Sequence, residues 1–131
     1  MAKESPSVDA WLAEAKADET ASRCGMYLVH NGTVRELPKK LVREGIDDGT
    51  KVTGMNFSYD HEALEEARKE ALTWEGIEYV RVWLNEGTLQ VGDDIMFVLI
   101  GGDIRPHVID ALQGFVGKIK NELVQEIEIA E

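Results

Sequence analysis

The residues of this chain that could do chemistry are a few cations set in an acidic background. Arg35 follows the Asn31-Gly32 turn signal, Arg105 opens a helical segment, and Lys118 and Lys120 close it. An arginine in the first turn of a helix adds a fixed positive fork to backbone N–H groups that already favour anions. Lysines in a last turn also complement the helix dipole, and surface arginines are ordinary. An anion site and a plain solvated surface therefore both fit these four residues. Fifteen residues separate Arg105 from Lys120, roughly 22 Å along an α-helix. A site using both must span a large ligand or two subunits.

Other chemistries lack their signals. His30, His61 and His107 stand isolated, with no His or Cys at the short spacing that metal ligation requires, so no metal centre is expected. There is no Gly-x-Gly-x-x-Gly, no P-loop and no Gly-x-Ser-x-Gly elbow, and no cofactor is expected. Cys24, at the start of an apolar strand, reads as a buried structural thiol.

The elements that must position these cations follow from periodicity and caps. Ser7 caps a helix over Val8–Ala17 with Val8, Trp11, Leu12 and Ala15 on one face. Gly25–Val34 is a strand that bends or bulges near its end. Glu36–Thr50, with Pro38, Gly45, Gly49 and few large apolar residues, is expected to be a mobile loop. Lys51–Tyr59 is extended, and Asp60 caps the next helix, with Tyr59 and Leu64 placed as a hydrophobic staple.

Ile77–Glu86 alternates as a strand, and Gly87 and Gly92 bracket a tight connection. Asp94–Ile100 is apolar at six consecutive positions, which predicts a central strand covered on both faces. Arg105 begins a helix that tolerates Pro106 in its first turn and buries Val108, Ala111, Leu112, Phe115 and Ile119. The last strand, Leu123–Ile129, alternates Leu123, Ile127 and Ile129 against Val124, Glu126 and Glu128. This order predicts an α+β fold with a largely antiparallel sheet and helices packed on one face.

Length and charge bound the function. A chain of 131 residues suits one domain, residues 1–131. With 44% apolar and 30% charged residues it has the material for a packed core. Its 14 Lys and Arg against 25 Asp and Glu give a net charge of −11, a field that repels phosphate backbones and disfavours general nucleic-acid binding. The longest apolar run, Ile95–Ile100, is far below the roughly 20 residues that span a bilayer. Met1–Ser7 has no apolar core of a secretory signal, and with a lone cysteine the expected compartment is the cytoplasm.

Three segments in order carry a resemblance. Gly32-Thr33-Val34-Arg35 comes first, then Gly87-Thr88-Leu89-Gln90-Val91-Gly92-Asp93 leading into Ile95–Ile100, then Arg105 opening a helix that ends at Ile119-Lys120. Together they resemble the large, catalytic subunit of molybdopterin synthase over nearly the whole chain. The motifs are short, so their order and spacing carry the likeness. The resemblance implies an α/β hammerhead fold and a central homodimer with a small ubiquitin-like subunit at each end, a heterotetramer. The small subunit's Gly-Gly thiocarboxylate tail would enter a pocket of the large one. The pair would then insert two sulfurs into cyclic pyranopterin monophosphate, making the dithiolene of molybdopterin.

Residue by residue, the family's Gly-x-Val-Arg falls on Gly32–Arg35, and its His-Arg at a helix start falls on Ile104-Arg105, which keeps the Arg and loses the His. Its first pocket lysine falls on Lys120. Its second, seven residues on, falls on Ile127, and a further His-Arg is replaced by Leu84-Asn85. The resemblance thus makes Lys120 the catalytic candidate and Arg35, Arg105 and Lys118 the substrate-binding candidates, with His107 a stand-in for the absent histidine. Arginines would grip the terminal phosphate, and a lysine with its pKa lowered by neighbouring cations would donate protons or attack the acyl thiocarboxylate. The missing second lysine supports a second reading, a diverged, non-catalytic binding subunit; a third, independent of the resemblance, is a ligand-sensing α+β dimer with a regulatory anion site.

Overall fold

Residues 4–130 are described by the computed structural model. Ser7 does cap the first helix, its hydroxyl accepting the N–H of Ala10, and α1 runs Val8–Lys16. A short 3-10 turn, Ala21–Arg23, leads into β1, Met26–Thr33. Then come α2 (Lys39–Glu44), β2 (Val52–Tyr59), α3 (His61–Ala71), β3 (Ile77–Leu84), β4 (Gly87–Gln90) and β5 (Asp94–Gly102). The chain ends with α4 (Arg105–Lys118), a π-helical turn (Ile119–Leu123) and β6 (Val124–Ala130). The Asp60 carboxylate accepts the N–H of Ala63 and caps α3, and Tyr59 and Leu64 both pack on the core.

The α+β class with antiparallel strands holds, and the strands divide into two three-stranded sheets, β1-β5-β3 and β4-β2-β6. Strand β5 is the centre of the first, as its apolar run predicts. Its Met96, Val98 and Ile100 turn to a core shared with Val108, Ala111 and Phe115 of α4 and with Val52, Met55 and Phe57 of β2. Its Phe97 and Leu99 turn the other way, to Trp11 and Ala15 of α1. Thus α3 and α4 pack on one side and α1 adds cover to the far side. The β1–β5 register shifts between Gly32 and Thr33, the bulge that the Asn31-Gly32 signal predicts.

Three details depart from the sequence reading. Glu36–Thr50 is not a bare loop, because it contains α2. Gly45 ends that helix in the left-handed region at φ 71°, and the N–H groups of Gly45 and Ile46 satisfy the carbonyls of Leu41 and Lys40. The anchors of this segment are polar: Lys40 Nζ lies 2.6 Å from Asp48, whose carboxylate also accepts from Thr50. Leu37, Val42 and Ile46 remain exposed. Secondly, the connection between Gly87 and Gly92 contains β4, which pairs with β2.

Thirdly, β6 turns its carboxylates inward. Glu126 and Glu128 stand opposite the buried Phe57 and Met55, while Ile127 stands opposite the exposed Asn56 and is itself 52% exposed. Paired residues in an antiparallel ladder share a face. The register to β2 therefore overrides the polarity of the β6 side chains.

Candidate functional site

The inward carboxylates of β6 open onto a recess between the two sheets. Gly32 and Thr33 from the end of β1, Met55 from β2, Ile95 and Met96 from β5, and Arg35, Lys39, Lys120, Glu126 and Glu128 line it. Each cation arrives on a separate local device. The N–H of Val34 bonds to the carbonyl of Asp93 and its own carbonyl accepts from Gly92, so a buried Val34 holds the exposed Arg35 at the rim. Lys39 is the first residue of α2, and its backbone N–H donates to Glu128 Oε2 at 3.1 Å. Lys120 lies in the π-helical turn, next to a fully buried Ile119. The last turn expected to hold Lys120 as α-helix is thus wider; such π-turns recur at functional sites.

The charges in the recess interlock. Lys39 Nζ is 2.9 Å from Glu126 Oε2, and Lys120 Nζ is 3.7 Å from Glu126 Oε1. The Glu126 side chain is only 6% exposed. An acid, and not cations alone, therefore faces Lys120, which replaces the expected picture of crowded cations. Arg35 lines the recess from its exposed rim. His30, on β1, lies near Gly32: a Cβ on that glycine would stand 3.8 Å from His30 Nε2. That nitrogen is buried without a hydrogen-bond partner. Burial first, and the nearby Lys120 second, hold its pKa below the ordinary imidazole value.

Of the five candidate residues, Arg35 and Lys120 meet in this recess and three lie elsewhere in the same copy. Lys118 Nζ is tied to Glu70 of α3 at 2.6 Å, a hydrogen bond that raises its pKa. His107 Nδ1 lies 2.8 Å from Asp103 and its Nε2 3.5 Å from Glu75. The Asp103 carboxylate raises its pKa. Gly76, at φ 78°, makes room for that pair, since a Cβ there would fall 2.4 Å from His107 Nδ1. Arg105 is exposed at the start of α4. The fourteen residues of α4, about 21 Å of helix, separate that end from Lys120.

The sequence reading missed Lys39, Glu126 and Glu128. Lys39 falls in a segment read as loop, and the inward face of β6 is set by a long-range register that no local pattern encodes. Asn85, where the resemblance places an arginine, is buried and braces the β3–β5 junction, its Nδ2 donating to the Asp94 carbonyl at 2.9 Å. Among the described residues no cluster of His, Cys, Asp and Glu could hold a metal ion. No described helix is long and apolar enough to cross a membrane.

Fold and recess together define an α+β protein with a cation-lined cleft at the seam of two antiparallel sheets. The chain belongs to the MoaE protein family, the large-subunit family of molybdopterin synthase, whose model matches residues 1–122. Its fold is similar to molybdopterin synthase from Staphylococcus aureus, with TM-score 0.74 at 20% identity over 98% of this chain and 88% of the other. The molybdopterin biosynthesis MoaE protein from Burkholderia ambifaria gives TM-score 0.71 at 20% identity, over 98% and 85%. In Helicobacter pylori, a protein–protein complex of subunits 1 and 2 of molybdopterin-converting factor gives TM-score 0.65 at 17% identity, over 92% and 74%. At such identities the likeness is one of fold. No curated protein shows a significant sequence match to the chain.

Proposed function

We propose that this chain is the sulfur-inserting large subunit of a molybdopterin synthase, taking sulfur from the C-terminal thiocarboxylate of a small ubiquitin-like partner and delivering it to cyclic pyranopterin monophosphate. One observation carries the reading: Arg35 and Lys120, which family spacing singles out near opposite ends of the chain, line one recess. In it Arg35 offers a planar fork for the terminal phosphate. Lys120 stands over the reacting acyl group as proton donor or nucleophile, its side chain 30% exposed. The partner's Gly-Gly tail suits a narrow approach, because glycine permits close backbone contact. The Helicobacter pylori relative, a complex of two subunits, supports a small-subunit partner here. Arg105, about a helix length from Lys120, would serve the site of a second copy or an outer part of the ligand.

The non-catalytic binding subunit keeps one observation in its favour: β6 turns acids, not a second lysine, into the recess. Mixing the purified chain with a thiocarboxylated small subunit and cyclic pyranopterin monophosphate separates the two. Dithiolene product is the expected result. A stable complex with no product, from a partner that is active with another large subunit, would establish the binding subunit instead.

A further inference from the structure

We propose that Lys39, carried on α2, supplies the second ammonium of the recess that strand β6 lacks, and that Glu126 holds it beside Lys120. This rests on reading the recess as the substrate site, and it names a residue that neither periodicity nor family spacing selects.

Position 127, where spacing puts the second lysine, cannot serve, because the β6 register turns Ile127 outward opposite Asn56. The inward position beside it is Glu126, whose carboxylate is almost wholly buried. A carboxylate taken out of water is costly unless cations and donors compensate. Here Lys39 contacts one oxygen at 2.9 Å and Lys120 approaches the other at 3.7 Å. That second oxygen, Oε1, has no hydrogen-bond partner. The acid therefore spaces two ammonium groups at one wall of the recess and keeps an acceptor in reserve.

The delivery of Lys39 does not depend on its own side chain. Its backbone N–H is held by Glu128, α2 is closed by Gly45, and Asp48 ties Lys40 to the following turn. Helix α2 thus acts as a bracket that brings a cation to the seam from outside both sheets. In this chain a lysine on the bracket thus meets an acid on the strand. The ligand such a wall recognises is a phosphomonoester or an acyl thiocarboxylate, both anionic.

The test uses the full chain as wild type, Lys39→Met, Lys39→Arg and the charge swap Lys39→Glu with Glu126→Lys. Three readouts are taken: binding of cyclic pyranopterin monophosphate with inorganic phosphate as competitor, single-turnover sulfur transfer from the thiocarboxylated partner, and thermal unfolding. Lys39→Met should lower the unfolding temperature, because it leaves the buried Glu126 carboxylate with Lys120 alone to compensate it, so binding and transfer are read at a temperature where every variant is folded. That variant should bind the phosphomonoester or transfer sulfur about tenfold or more weakly, the loss of one hydrogen bond to a charged group. Lys39→Arg should recover part of that loss. The swap, which returns an ammonium to β6, should recover most of it.

Wild-type binding and turnover by Lys39→Met would overturn the proposal. So would a loss in Lys39→Met that follows its unfolding temperature and that neither Lys39→Arg nor the swap repairs, since the pair would then be structural. If the wild type binds the phosphomonoester but transfers no sulfur, the catalytic reading fails while the binding data still decide the role of Lys39. If the wild type does neither, both fall.

Discussion

Lys120 owes its position to the residue before it. Ile119 is fully buried at the end of the α4 core stripe, and the π-helical turn that follows sets the next side chain at the edge of that core. At the other end of α4, His107 shows how a candidate cation can be fully occupied by structure. Its hydrogen bond to Asp103 raises the imidazole pKa and lowers that of the carboxyl. The sign follows from linkage. The histidine's contribution to stability is complete below the unfolded-state value of 6.5, and it is lost as pH rises through the higher folded value. The aspartate's is present above its unfolded value of 3.8, and it is lost as pH falls through the lower folded one. Thermal unfolding followed from about pH 5 to about pH 9 should show an alkaline decline that His107→Gln abolishes. An unchanged profile in that variant would show that the pair contributes nothing measurable.

At the scale of elements, caps and registers divide the work. The Asp60 carboxylate closes the first turn of α3, so Asp60→Ala should lower unfolding stability by about 1 kcal/mol. Sulfur transfer at a temperature where both proteins are folded should be unchanged, because α3 contributes nothing to the recess. Denaturant melts and a rate measurement check the two halves. This helix was legible from its sequence, as were α1 from Ser7 and β5 from its six apolar positions, because caps and burial patterns are local signals. Helix α2 was not, since it has few apolar anchors and is secured by ion pairs and a left-handed glycine. Nor was β4, at four residues too short to show a period. The orientation of β6 was misleading for a different reason. Its alternation is clear, but only pairing with Met55 and Phe57 of β2 decides which side is inward. Two of the five charged residues lining the recess were therefore readable, Arg35 and Lys120 from family spacing, with Lys39, Glu126 and Glu128 visible only once the chain is folded.

In the protein as a whole, the first sheet ends in β1 and β3 and the second in β4 and β6, which leaves four edge strands among the described residues. Arg105 projects from a face remote from the recess of its own copy. A second copy would cover an edge and bring its own cations toward a shared ligand. Light scattering at micromolar concentration should return twice the 14.6 kDa of one chain, and a monomer mass would remove the dimer. The net charge of −11 repels an acidic partner at long range. Binding of the small subunit should therefore depend on local apolar and basic contacts and should weaken when its Gly-Gly end is deleted. Affinity unaffected by that deletion would assign no role to the tail in the recess.

In the proposed reaction this recess moves sulfur and Lys120 carries the step. Its most direct test is a side-by-side single-turnover assay of wild type and Lys120→Ala, each with the thiocarboxylated small subunit and cyclic pyranopterin monophosphate, with dithiolene product measured. Product should form with the wild type and not with Lys120→Ala, with both proteins folded and both still holding the partner. Product from Lys120→Ala at the wild-type rate would contradict that role for Lys120.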